Sequence, residues 1–311
     1  MKYIYGPVPS RRLGLSLGIN IVPYKTCSYN CIYCEVGKTT RLTVKRKSFF
    51  SPDEIIQEFC DYINKVGKLN YVTLSGSGEP TLNKDIGVLI NRVKDETDKP
   101  VAVLTNGSLL WMDEVKKELK NADVIIPSLD AASENMFKMI NRPHPSLNIN
   151  RIIEGIKDFT QSFKGKLWLE VLLVRGMNDT KDETRKIAEA INVINPSKVQ
   201  LGTVTRPGVE DYALPVAAEK LNSIKEELTK LCHAPVETIR EFDKSNVDFL
   251  VNLDKAVLKM IAIRPCTLED LTRAFDVDEQ TMKATLEKLK QERSIEQGVF
   301  SGKMFFKGLN R

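Results

Sequence analysis

Histidine is almost missing from this chain. Only His144 and His233 occur among 311 residues, and neither sits at the paired spacing of a structural zinc site. Long apolar runs are missing too, since none approaches the roughly 18 residues that a membrane span needs. The opening "MKYIYGPVPSRRLG" has no apolar segment behind a basic one, so no secretory signal is read and a soluble, cytoplasmic protein is expected. There is no low-complexity tract and no fixed-period repeat. Net charge is only +5, which permits an acidic partner such as RNA without demanding one. What remains is ordinary globular material, 42% apolar and 28% charged, enough to bury a core. The length allows about two domains of roughly 150 residues each, or one larger α/β barrel. Six cysteines in such a chain argue for metal or redox use rather than a disulfide framework.

The middle of the chain alternates. "LGLSLGINIV", "YVTLSG", "VAVLTNG", "DVIIPSLDA", "LWLEVLLVRG" and "KVQLGTV" are short runs rich in β-branched and other apolar residues. Helical patterns lie between them, beginning at Ser51-Pro52-Asp53-Glu54, where Pro and two acids suit a first turn. Strands alternating with helices predict a parallel sheet. Six such units predict a partial, TIM-like (βα)6 barrel with its chemistry at the strands' C-terminal ends.

Near residue 250 the texture changes. "LDKAVLKMIAIRP", "TLEDLTRAF" and "DEQTMKATLEKLKQER" predict three helices, the second with a capping box from Thr267 and Asp270. "SIEQGVFSGKMFFKG" then alternates around Gly298 and Gly302 as a hairpin does. Three helices and a two-stranded ribbon describe a winged helix-turn-helix. The expected division is residues 1–249 for the barrel and 250–311 for the small domain. That second segment carries 11 Lys and Arg against 9 Asp and Glu, a weak footprint for phosphate.

The chemistry is concentrated in "KTCSYNCIYCE". Cys27, Cys31 and Cys34 follow C-x3-C-x2-C with no second pair downstream to complete a zinc site. A bacterial ferredoxin run has a different spacing and a fourth cysteine. Three thiolates on one loop can hold three irons of a single [4Fe-4S] cluster and leave the fourth iron open. Cys60 shares an apolar helix side with Ile56, Phe59 and Ile63 and reads as core. Cys232 and Cys266 read as inert thiols. The run Lys45-Arg46-Lys47 reads as a solvated face.

With Tyr33 as the aromatic in C-x3-C-x-aromatic-C, at the end of a first barrel strand, roughly residues 12–205 resemble the radical S-adenosylmethionine (SAM) superfamily. The resemblance implies that the open iron chelates the amino and carboxylate groups of SAM. One electron, from a donor such as flavodoxin or ferredoxin, then releases a 5'-deoxyadenosyl radical. It also implies roles at the following strand ends. "SGSGEP" looks like the family's glycine-rich stretch, with Gly76 and Gly78 admitting the methionine amino group and Glu79 receiving it. Thr105 and Asn106 end the third strand. Ser128 and Asp130 end the fourth, where they suit SAM hydroxyls or its methionine part, or else cap the next helix. "LVRGMND" resembles the loop against adenine and puts Arg175 within reach of a carboxylate, unless Arg175 pairs at the surface. Arg142 and His144, in "NRPHPS", are read either at the substrate mouth or in a turn.

Within the superfamily, "PSRRLGLSLGINIVPYKTCSYNCIYCE" looks most like Fe-S oxidoreductases grouped with the wyosine-forming tRNA enzymes. Those carry second-cluster cysteines ahead of the main motif, and residues 1–26 here contain none. The implied substrate is RNA or tRNA. The alternatives are a peptide or protein, including an activase-type role, and a non-catalytic Fe-S winged-helix regulator.

Overall fold

A computed structural model describes residues 2–66, 69–239, 253–275 and 277–309. The expected boundary at 249/250 lies outside the described residues. The chain starts with β1 (Ile4–Ser10) and β2 (Gly14–Asn20), then the cysteine loop with its short β3 (Thr26–Cys27) and β4 (Arg41–Leu42). Next come α1 (Pro52–Ile63), β5 (Tyr71–Ser75), α2 (Ile86–Glu96), β6 (Val101–Thr105), α3 (Asp113–Leu119) and β7 (Val124–Pro127). Two helices follow, α4 (Glu134–Ile140) and α5 (Ile149–Ser162), before β8 (Lys166–Leu173), α6 (Lys181–Ile194) and β9 (Lys198–Thr203). The unit closes with α7 (Ala218–Leu231) and β10 (Val236–Thr238).

The sheet runs β1-β2-β5-β6-β7-β8-β9-β10, antiparallel at β1 and parallel from β2 onward. The six parallel strands expected from sequence are all present. They read as continuous apolar runs because helices and the sheet's other face bury both sides: Val72, Leu74, Val103, Ile125, Leu169 and Leu201 are all fully buried. Besides the short β3 and β4, three elements were not read from the sequence. β1, "IYGPVPS", contains two prolines and a glycine that normally argue against a strand, and it survives as an antiparallel edge. The helix α7 and strand β10 extend the parallel sheet by one more unit.

Three helices and a hairpin make up the described C-terminal segment: α8 (Leu253–Ile263), α9 (Leu268–Phe275), α10 (Glu279–Gln291), β11 (Ile295–Phe300) and β12 (Lys303–Gly308). The hairpin turns at Ser301 and Gly302, both with positive φ, a two-residue turn whose twist matches the strands. Its core is its own, built on Val257, Met260, Leu271, Phe275, Met282 and Leu286, with Val8 of β1 packed against it. The capping box forms as read: Asp270 N donates to Thr267 Oγ1 (3.0 Å) and Thr267 N to Asp270 Oδ2 (3.2 Å). Cys266 is buried, and burial pushes its thiol up to about 11. Cys60 and Cys232 are half-buried against the main core. Among the described residues no helix is long and apolar enough to cross a membrane.

One surface expectation is corrected. Arg46 is not a solvated charge, for its side chain is only 3% exposed. Its guanidinium bridges Glu114 (3.0 Å) and Glu118 and donates to the carbonyls of Thr81 (2.7 Å) and Asn83 (3.2 Å). Sequence proximity to Lys45 and Lys47 hid a partner set that lies some seventy residues away. Arg46→Ala would leave Glu118 half-buried without its cation, so chemical denaturation should show a loss of about 3 kcal/mol. A loss within about 0.5 kcal/mol would return Arg46 to the surface class.

Candidate active site

The cysteine loop leaves the C-terminal end of β2 and is held by backbone hydrogen bonds from several sides. Lys25 adopts a left-handed φ of 48°, and its N–H donates to Ser77 O (2.7 Å). Thr43 N donates to Cys27 O (2.9 Å). The segment after α4 supplies the far wall, with Asn30 N on Asn141 O (3.0 Å), Ile32 N on Ile140 O (3.0 Å) and His144 N on Ser28 O (2.8 Å). The His144 ring meets Ser146 instead, so this residue shapes a turn. Arg142 pairs with Glu210 (2.5 Å) and donates to the Tyr212 hydroxyl, away from the thiols.

Each of the three thiols faces one N–H donor. Lys25 Nζ lies 3.0 Å from Cys34 Sγ, Asn141 Nδ2 lies 3.5 Å from Cys31 Sγ, and Asn106 Nδ2 lies 3.6 Å from Cys27 Sγ. Burial pushes the Cys27 thiol up to about 12, and Cys31 is raised by the same cause. Lys25 is 2% exposed; burial draws its ammonium down, but the three thiols outweigh this and hold it above its ordinary value. Among the described residues no three His, Cys, Asp or Glu side chains are placed to hold a single metal ion.

The turn after β5 lies directly against this loop. A Cβ on Gly78 would fall 2.0 Å from Thr26 O, and Gly76, at φ 133°, would place one 2.1 Å from Asn20 Oδ1. Neither space admits a side chain. Glu79 is buried, and its carboxylate accepts from Thr81 N (3.0 Å), Thr81 Oγ1 (2.5 Å), Thr105 Oγ1 (2.6 Å) and Asn106 N (2.7 Å). Burial still raises it, against those four hydrogen bonds. Asn106 thus joins Glu79 on one side to Cys27 and Ser28 on the other.

A cavity of about 230 Å³ opens beside Cys34, with Tyr33, Ser128 and Asp130 in its lining. Asp130 is the hub. Its carboxylate accepts from the Tyr33 hydroxyl, Asn141 Nδ2 (2.8 Å) and Leu172 N (3.1 Å). The helix-capping alternative falls away, because Ser133 caps α4 with its own side chain. Arg175 is not brought to this cavity. It is exposed on the loop after β8, where Gly176 takes φ 74°, and its N–H donates to Leu214 O (3.0 Å).

Several lining residues escaped the sequence reading: Arg11, Arg12, Glu35, Glu170, Arg206 and Arg264. Arg12 and Glu170 form an ion pair across the cavity. The adjacent arginines of "PSRRLG", just ahead of the strand that enters the cysteine loop, were the one available signal. Glu170 inside the apolar run "LWLEVLLV" was another.

A model of the radical SAM superfamily matches residues 21–191, more than half of the chain. The chain belongs to the radical SAM superfamily. This enzyme family draws on a [4Fe-4S] cluster and SAM, and the thiol-rich donor set above fits that chemistry. A UPF0026 protein of Methanocaldococcus jannaschii is 31% identical over 98% of this chain and 96% of its own length. A protein named GTPase Obg in Brachyspira hyodysenteriae is 36% identical over 97% of this chain, which spans only 44% of that protein. Among solved structures, a radical SAM methyltransferase from Sphaerobacter thermophilus superposes with a TM-score of 0.55 at 16% identity. That match covers 72% of this chain and 65% of that one, a likeness of fold.

Burial, opposed by the Tyr33 and Asn141 hydrogen bonds, raises Asp130 to about 6 from 3.8. A carboxyl raised in the fold binds its proton more tightly there than in the unfolded chain. Its ionisation therefore costs nothing below pH about 4, costs progressively more up to pH about 6, and reaches about 3 kcal/mol above that. The stability difference between Asp130→Asn and the parent should accordingly shift toward the variant between pH 4.5 and 7. A difference that stays flat across that window would show Asp130 to be solvated.

Proposed function

We propose that Cys27, Cys31 and Cys34 each ligate one iron of a single [4Fe-4S] cluster, and that this enzyme cleaves SAM there to modify an RNA substrate in the cytoplasm. When bound, the cluster and SAM supply a one-electron cleavage whose 5'-deoxyadenosyl radical takes hydrogen from the substrate. The observation that carries the reading is the set of three free thiols, one N–H donor on each, beside a cavity at the strands' C-terminal ends. Donors on cluster sulfurs tune the metal from outside its ligand shell, which gives Lys25, Asn106 and Asn141 their roles.

The remaining residues then hold SAM. The turn around Gly76 and Gly78, laid close against the cysteine loop because neither residue carries a Cβ, takes the methionine end along its backbone. Glu79, already accepting four hydrogen bonds, acts on that end through the Thr105 and Asn106 groups it fixes. Asp130, aligned by Tyr33, and Ser128 face the cavity and accept SAM hydroxyls or its ammonium. Arg175 is assigned a contact at the outer edge only, given its exposure. The C-terminal helices and hairpin, read as a winged helix over residues 250–311, recruit the RNA, and a flavodoxin or ferredoxin delivers the electron. RNA is preferred over a peptide because arginines line the cavity mouth.

Anaerobic reconstitution should give about four irons per chain, one [4Fe-4S] cluster. The combined Cys27→Ala, Cys31→Ala and Cys34→Ala variant should lose both the brown colour and SAM cleavage. Iron near eight per chain, or colour surviving the triple change, would defeat the assignment. Asp130→Ala should keep its cluster yet bind SAM more weakly, by about 1–3 kcal/mol in equilibrium dialysis.

A further inference from the structure

Beyond the thiols, the cavity holds a group of guanidiniums. Arg11, Arg12, Arg206 and Arg264 all line it, and all four act on the single carboxylate of Glu35. Arg12 also has Glu170, and Arg206 also has Asp270 at 3.3 Å as well as Glu35 at 3.5 Å. Among the described residues Arg11 has no hydrogen bond or ion pair. Two further donors are stranded: the Nε atoms of Arg12 and Arg206 are buried without a partner, and Arg206 is only 5% exposed. Leaving such donors unmet is costly unless something else supplies acceptors. Arg11 and Arg206 also line a second cavity of about 520 Å³ that runs outward to Arg273 and Lys303 below the C-terminal hairpin. Burial and the neighbouring Arg206, Arg12 and Arg264 together press Arg11 down to about 10, as expected for a cation awaiting its counter-charge.

We infer that Arg11, Arg12, Arg206 and Arg264 form a binding site for the phosphate group of the substrate, in the passage between the thiol loop and the C-terminal hairpin. Guanidinium forks present several donors to the several oxygens of one phosphate, which suits this anion better than a lone carboxylate. The inference rests on the proposed reaction for its location but not for its test. Inorganic pyrophosphate is the probe, titrated calorimetrically into the reconstituted full chain with and without saturating SAM.

Pyrophosphate should bind in both conditions, and Arg11→Gln should weaken it at least about tenfold. Because Arg11 makes no hydrogen bond or ion pair among the described residues, the same variant should melt at the same or a higher temperature without ligand. Adenosine monophosphate and a short single-stranded RNA then compete against pyrophosphate. Displacement by the mononucleotide identifies a free nucleotide, and displacement by RNA alone identifies a nucleotide within a strand; either supports the site. Several results would overturn it: no binding, equal binding by Arg11→Gln, a melting temperature lowered by that change, or no displacement by either nucleotide form. Loss of pyrophosphate binding on adding SAM would also overturn it, since the arginines would then belong to the SAM carboxylate. SAM cleavage is read separately, so failure of the proposed reaction and failure of this site are distinguishable.

Discussion

A carbonyl oxygen occupies the space that a side chain would need at Gly78. The Thr26 oxygen lies 2.0 Å from the ideal Cβ position there, and Glu79 N–H closes the contact by donating to that oxygen at 3.1 Å. Everything chemical in the molecule follows from this approach. It lays the cysteine loop flat against the turn after β5, and so brings Cys27 under Asn106 from the end of β6. It also forces the preceding Lys25 into the left-handed region, which swings its ammonium inward onto Cys34 rather than out to water. Any residue larger than glycine would push Thr26 away and disturb the placing of Cys27 against Asn106.

Buried charge is compensated in a different way at each place. Glu79 is satisfied by four donors from its own chain and carries no cation, so burial wins and its carboxyl is raised. Asp130 is raised for the same reason, with three donors that fix its orientation without cancelling the desolvation. Glu35 is the opposite case. Its side chain is a third exposed, and the arginines around it hold it below the ordinary carboxylate range. The site therefore divides into an amide- and hydroxyl-rich side near the thiols and a guanidinium-rich side toward the C-terminal hairpin. A ligand with a cationic or neutral end and an anionic end would find both, each already oriented.

The parallel strands were legible because two-sided burial writes them as uninterrupted apolar runs, as in "DVIIP" and "LWLEVLL". The cysteine loop was legible because three thiols at short spacing have few other uses. β1 was not, since Gly6, Pro7 and Pro9 are breakers everywhere except on an edge, and edge position is a property of the sheet, not of the segment. Arg46 and the arginine group failed for a related reason. A charged side chain is exposed by default, and only partners distant in sequence make its burial tolerable: Glu118 for Arg46, Glu170 for Arg12, Glu35 and Asp270 for Arg206. Asn141, at the head of "NRPHPS", was not singled out in the sequence, and it touches both Cys31 and Asp130. No local pattern encodes that contact.

Arg206 carries a charge link between the two cores. Its guanidinium reaches Glu35, the neighbour of Cys34, with one nitrogen and Asp270 with another. Asp270 in turn closes the capping box at the start of α9 through Thr267. Displacing α9 would strip a carboxylate from an arginine that is 5% exposed, and leave its charge to Glu35 alone. Moving Glu35 would likewise loosen the first turn of α9 by drawing Arg206 away. The C-terminal helices are thus not a separate bead on the barrel, although their apolar core is their own. Hydrophobic packing gives them a core of their own, while a buried ion network makes their position and the geometry beside Cys34 mutually dependent. Binding energy gained on the C-terminal side can reach the thiol loop along this route, which is what positioning an extended substrate at a reacting atom requires.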